Sequence, residues 1–127
     1  MNTLKIAIQK SGRLHDESIQ ILKDCGISVY NGNDQLKVTA SNFPLEVYYL
    51  RNSDIPQYLI DGVVDIAIVG DNLLVEKGQN IQIAEKLGFS KCKVSVAVPK
   101  NFNYNSIQDL NGLRVATSYP KTVVDYF

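Results

Sequence analysis

Short β-branched runs alternate with amphipathic stretches along this chain, and Val64-Asp65-Ile66-Ala67-Ile68-Val69-Gly70 is the sharpest of them. A nearly continuous apolar run closed by glycine reads as a strand covered on both faces, which calls for a sheet with helices on each side. Leu4-Lys5-Ile6-Ala7-Ile8 reads the same way. Arg13 to Asp24 carries Leu14, Ser18, Ile21 and Leu22 at helical spacing, with a stop at Cys25-Gly26. Ile27-Ser28-Val29 and Gln35 to Thr39 read as strands around the turn Asn31-Gly32-Asn33-Asp34, and Leu45 to Leu50 is the strongest β run. Ser53 or Asp54 caps a short helix with Pro56 in its first turn, ending near Asp61-Gly62. Asp71-Asn72 caps a helix over Leu73 to Lys77, stopped by Gly78. Further strands are predicted at Ile81 to Ala84, Val94 to Val98 and Leu113 to Ala116, with a short helix from Ser106 to Leu110. The alternation predicts the α/β class with mostly parallel sheets.

Composition narrows the function classes. At 127 residues and 45% apolar, the chain suits one packed domain or part of a larger one. Its 13 Lys+Arg balance 13 Asp+Glu, without the cationic excess a nucleic-acid binder uses, so no nucleic-acid partner is expected. No apolar run approaches the ~20 residues of a membrane span, and the start lacks a signal-peptide core, so the expectation is no membrane partner and a cytoplasmic location. Cys25 and Cys92 have no CxxC spacing and give no metal or disulfide framework; Cys25 is expected to pack at the helix end. Thr122 to Phe127 reads as the opening of an amphipathic helix without a stop signal, which suggests a truncated chain.

Four segments follow strands, where an α/β sheet gathers its ligands. In Gln9-Lys10-Ser11-Gly12-Arg13, a strand-to-helix turn offers free N–H groups to an anion, Gly12 allows close approach, and Lys10 and Arg13 add charge. Arg51 ends the strongest strand, where its fork suits a phosphate, the alternative being a surface pair with Asp54. Gly70, Asp71 and Asn72 end another strand, with Asp71 as a plain helix cap in the simpler reading. Thr117-Ser118-Tyr119-Pro120 combines hydroxyls with a helix start, and an ordinary Ser/Thr cap is its alternative. His15, without a Cys, Ser or carboxylate partner in a motif, reads as a surface residue, and Tyr48-Tyr49 as split between the faces of one strand.

Ile6 to Leu14, Leu50 to Pro56, Asp61 to Gly70 and Arg114 to Pro120 occur in an order that resembles ATP phosphoribosyltransferase, across essentially the whole chain. The wording Gln9-Lys10-Ser11-Gly12-Arg13-Leu14 is most similar to the long form, which carries a C-terminal histidine-sensing domain. The resemblance implies a type II periplasmic-binding-protein-like fold of two domains. Residues 1–94 would belong to the first and residues 95–127 would begin the second.

It also implies the first step of histidine biosynthesis. The phosphoribosyl group of 5-phosphoribosyl 1-diphosphate passes to N1 of ATP, pyrophosphate leaves, and magnesium (Mg2+) assists. On that resemblance Lys10, Ser11, Gly12 and Arg13 would face phosphates, and Arg51 would neutralise pyrophosphate charge within one subunit or across a dimer interface. Gly70, Asp71 and Asn72 would line the crevice, and Ser118, Tyr119 and Pro120 its opposite wall. The full-length protein would be a homo-oligomer, dimer or hexamer. The family's acidic, hydroxyl-rich phosphoribosyl-diphosphate loop has no counterpart in residues 1–127, nor has the regulatory domain, so this segment alone is expected to be inactive. Gln35 stands where the family often has a basic residue. The competing reading is a non-catalytic small-anion or solute-binding module of the same fold.

Overall fold

The computed structural model describes residues 2–30, 36–78 and 80–127. The expected turn at residues 31–34, and Gln35 with it, lie outside them. The chain divides into two units, residues 1–90 and 91–127.

The first unit is built on a four-stranded sheet in the order β2-β3-β1-β4. β1 (Leu4–Gln9) pairs in parallel with β3 (Leu45–Leu50) and with β4 (Ile66–Ala67), while β2 (Lys37–Thr39) runs antiparallel to β3. The sheet is therefore mixed. Its antiparallel edge arises because β2 and β3 are near neighbours in sequence, with too little chain between them for a parallel crossover.

β1 and β3 alternate between the two faces in step, with Ile6 opposite Val47 and Ala7 opposite Tyr48. On one face Ile6, Ile8, Val47 and Tyr49 pack with Ile19 and Leu22 of helix α1 (Arg13–Asp24). On the other, Ala7 and Leu50 pack with Val64 and with Ile55 of helix α2 (Ile55–Ile60). Ile8, Val47 and Ile55 are fully buried, and each such side chain contributes about 1.5–3 kcal/mol by leaving water. Tyr48 and Tyr49 do separate, Tyr49 into the first cluster and Tyr48 against the second.

Helix α1 has the limits its sequence predicts, with Gly26 beyond it at φ +78°. Its buried face is His15, Ser18, Ile19 and Leu22, a strict i, i+3, i+4, i+7 stripe rotated from the expected one. His15 is 7% exposed, not a surface residue; counting only apolar residues passes over an imidazole that faces the core. Cys25 is exposed: as the C-cap of α1 it lies three residues beyond Leu22, at which the buried stripe ends.

Ile27 to Val29 form no strand; the Asn42 side chain holds them instead, accepting from Ser28 N–H (2.8 Å) and donating to the Gly26 carbonyl (2.7 Å). β4 is shorter than expected and lies at the sheet edge. β1 flanks it on one side and no described strand on the other, which leaves Ile66 43% exposed. Its register is pinned by Asp65, whose carboxylate accepts from Lys5 N–H (2.9 Å) and whose own N–H donates to the Lys5 carbonyl (2.8 Å).

Helix α3 spans Asp71–Lys77. Residues 81–84, expected as a strand, join no strand pairing among the described residues. In the second unit residues 94–98 and 113–116 are likewise unpaired, with Val94, Val96, Leu113 and Val115 at least half exposed. An apolar run becomes a strand only when a neighbour supplies partners for its N–H and C=O groups, and among the described residues none flanks these. That unit contains a 3-10 turn, Ile107–Leu110, and helix α4 (Pro120–Tyr126). Ser106 and Asp109 close the turn reciprocally, the Asp109 carboxylate accepting from the N–H groups of Asn105 (2.7 Å) and Ser106 (3.0 Å). Those two donors hold the Asp109 carboxyl below its ordinary value of 3.8. Among the described residues no helix is long and apolar enough to cross a membrane.

Candidate functional site

Parallel pairing sends β1, β3 and β4 out of the sheet at one edge, so the turns that follow them leave from the same side. β1 leads to α1 on one face and the adjacent β3 leads to α2 on the other. Neighbouring strands whose connections part in this way open a crevice at their carboxyl ends, the place where open α/β sheets bind ligands. The residues at that crevice are Lys10 to Arg13 on one side and Arg51 to Asp54 on the other.

Pairing continues one step beyond β1, with Lys10 N–H donating to the Leu50 carbonyl at 2.8 Å. Lys10 thus leaves the sheet beside Arg51. Both side chains are exposed, and among the described residues neither has an ion-pair partner. The Arg51–Asp54 pair considered from the sequence does not form; Asp54 instead turns its backbone N–H to the Arg51 carbonyl at 2.9 Å. Two cations without an ion-pair partner among the described residues concentrate positive potential at these strand ends, as a seat for an anion would require.

The β1–α1 turn has the backbone such a seat needs. Gly12 is the N-cap of α1 at φ +93° and ψ −172°, a region essentially reserved for glycine. No side chain caps the helix there, so the first N–H groups beyond Gly12 are not taken by a capping side chain. Ser11, Gly12 and Arg13 are all exposed.

Gly70 caps α3 and is half-buried, Asp71 is exposed in the helix's first turn, and the Asn72 amide oxygen accepts its neighbour's N–H, from Leu73 at 3.0 Å. Asp71 therefore starts the helix instead of capping it. A shallow hollow lined by Ser53, Asp54, Pro56, Gln57, Tyr58 and Lys77 lies on the α2 side and touches neither Lys10 nor Arg13. Ser118, Tyr119 and Pro120 belong to the second unit, where Tyr119 N–H donates to the Thr117 hydroxyl at 2.9 Å and Pro120 opens α4.

Sequence reasoning missed His15 and Tyr49 as neighbours of this edge. The His15 Nδ1 lies 2.8 Å from the Gln9 carbonyl, and its ring centroid is 5.5 Å from that of Tyr49. The Tyr49 hydroxyl is buried and, among the described residues, has no hydrogen-bond partner, and burial pushes the phenol above its ordinary 10.0. The signal for His15 was its place in the i, i+3, i+4, i+7 stripe. Among the described residues no cluster of three His, Cys, Asp or Glu side chains forms a metal site.

Residues 51–127 match the family model of ATP phosphoribosyltransferase. The chain is 52% identical over 123 residues to the ATP phosphoribosyltransferase of Cytophaga hutchinsonii, covering 97% of this chain and 43% of that protein. To the Parabacteroides distasonis protein of the same description it is 47% identical over 117 residues, covering 92% and 41%. A solved ATP phosphoribosyl transferase (HisG:HisZ) complex from Thermotoga maritima is 32% identical with a TM-score of 0.51, over 60% of this chain and 36% of that one. The chain spans less than half the length of the curated relatives it matches.

Proposed function

The chain belongs to the ATP phosphoribosyltransferase family, and we propose that the enzyme built on it performs that transfer. N1 of the ATP adenine attacks C1′ of 5-phosphoribosyl 1-diphosphate. The N1 lone pair forms the new bond, the C1′–O bond breaks, and pyrophosphate departs with its electron pair. Carbon C1′ becomes cationic and the departing oxygen gains negative charge, so the reaction needs positioning and charge neutralisation more than a proton relay.

One observation carries the reading: Lys10 and Arg51 leave adjacent parallel strands side by side, without an ion-pair partner among the described residues, where the chain passes to helices on opposite faces of the sheet. Lys10 and Arg13, with the N–H groups around Ser11 and Gly12, hold phosphate oxygens. Arg51 meets the charge that grows on pyrophosphate. Gly70, Asp71 and Asn72 serve substrate binding from the first domain, residues 1–94, and Ser118, Tyr119 and Pro120 from the second, which residues 95–127 open, in a fold of the type II periplasmic-binding-protein-like class. Magnesium enters with the substrate phosphates, where Mg2+ keeps much of its water and needs few protein ligands. The full-length protein is a cytoplasmic homo-oligomer and catalyses the first step of histidine biosynthesis.

Pyrophosphate release from purified full-length enzyme, given ATP, 5-phosphoribosyl 1-diphosphate and magnesium, tests this directly. Release that requires both substrates supports the transfer. Tight binding of either substrate with no release would instead favour a binding module.

A further inference from the structure

We propose that His15 is a positioning residue for the Lys10–Arg13 turn, holding the phosphate-facing backbone in its working shape before substrate arrives; the proposal rests on the reading of that turn given above. The Gln9 carbonyl can only accept, so at 2.8 Å the His15 Nδ1 carries the proton and donates. That bond joins the last residue of β1 to the first turn of α1 and so closes the segment containing Lys10, Ser11, Gly12 and Arg13 into a loop. The ring doing this is 7% exposed and lies against Tyr49 at 5.5 Å, tilted by 49°. It cannot swing away without leaving its place against the sheet, so the donor is held rigidly.

Three further contacts make the loop a unit. Lys10 N–H donates to the Leu50 carbonyl (2.8 Å), and Asp16 N–H donates to the Gly12 carbonyl (3.1 Å). The Gln9 side chain runs beneath Gly12, its amide nitrogen 3.5 Å from where a Cβ would stand. With the strand end tied to β3 and the helix start tied to Gln9, what remains adjustable is the direction of the N–H groups between them. Removing the His15 bond frees that direction, and an anion must then restore it on binding, which weakens affinity more than chemistry.

The test compares three substitutions in the full-length enzyme, with melting temperature measured beside steady-state kinetics. His15→Phe keeps a ring against Tyr49 and removes the donor. His15→Asn bears an amide nitrogen on the same γ carbon that bears Nδ1, so it restores the donor. His15→Gln carries its amide one bond further out and does not. The expected result is a KM for 5-phosphoribosyl 1-diphosphate raised about threefold to tenfold in His15→Phe and His15→Gln, with kcat changed less and His15→Asn close to the parent.

Lys10→Met serves as the control for the turn itself. If Lys10→Met raises KM while His15→Phe does not, the positioning role is overturned and the phosphate-facing turn stands. If neither moves KM, the turn is not phosphate-facing and both readings fall. Equal kinetic losses in His15→Phe and His15→Asn that follow a lowered melting temperature would make His15 merely structural and overturn the proposal.

Discussion

The Tyr49 ring lies 5.5 Å from that of His15, one from the penultimate position of β3 and the other from the first turn of α1, and among the described residues the buried Tyr49 hydroxyl has no partner. Through its Nδ1 bond to the Gln9 carbonyl, His15 links this contact to the turn that carries Lys10 and Arg13. An aromatic pair of this kind adds about 0.5–1.5 kcal/mol beyond its buried area.

Tyr49→Phe keeps the ring and deletes the orphaned hydroxyl. A buried polar group without a partner costs about 1–3 kcal/mol, so the variant is expected to be as stable as the parent or more so, by about 1 kcal/mol in a urea titration. The alkaline limb should change too. The folded phenol titrates above its ordinary 10.0, so the stability tied to keeping it neutral is complete below pH 10 and is lost as pH rises through the folded value. Tyr49→Phe should flatten that loss; an unchanged alkaline limb would assign it to other groups.

Arg51→Ala in the full-length enzyme should lower kcat more than it weakens ATP binding, because charge on pyrophosphate grows as its bond breaks. The expected loss of transition-state stabilisation is about 2–4 kcal/mol. A kcat equal to that of the parent would reduce Arg51 to a surface cation.

Gly12→Ala tests the backbone of the seat. Space is not the obstacle, since the added carbon would meet only the Gln9 amide at an ordinary 3.5 Å. The obstacle is φ +93° with ψ −172°, where an alanine is strained by about 1–3 kcal/mol. Denaturation of the variant should show that loss, together with a raised KM for 5-phosphoribosyl 1-diphosphate. Unaltered stability would mean that the turn relaxes freely.

Asp109 gives an acid-side prediction in the second unit. Its carboxyl is held below 3.8 by the Asn105 and Ser106 N–H groups. The stabilisation it lends the 3-10 turn is present above pH 3.8 and is lost as pH falls through the folded value. Amide chemical shifts of Asn105 and Ser106 should move together in that acid range, and Asp109→Asn should abolish the joint titration. Independent movement would break the assignment to one carboxylate.

Much of the local structure is legible along the chain. The limits of α1, the β3 run, the proline that opens α2 and the Ser106–Asp109 box all follow from spacings within a few residues, where sterics and neighbouring hydrogen bonds decide. So does the placing of Lys10 and Arg51 just beyond strands and of Arg13 at a helix start, because strand and helix periods can be counted along the chain. What that counting cannot supply is which strand lies beside which. Lys10 neighbours Arg51 only because β1 and β3 pair in one parallel register, and β4 is an edge because, among the described residues, only β1 flanks it. His15 becomes a buried donor only when α1 docks with that face toward Tyr49. The sequence by itself determined the elements and the residues at their ends, through short-range preferences. Only the tertiary structure decided pairing, burial and the meeting of the cations, because each depends on hydrogen bonds and packing between segments distant in the chain.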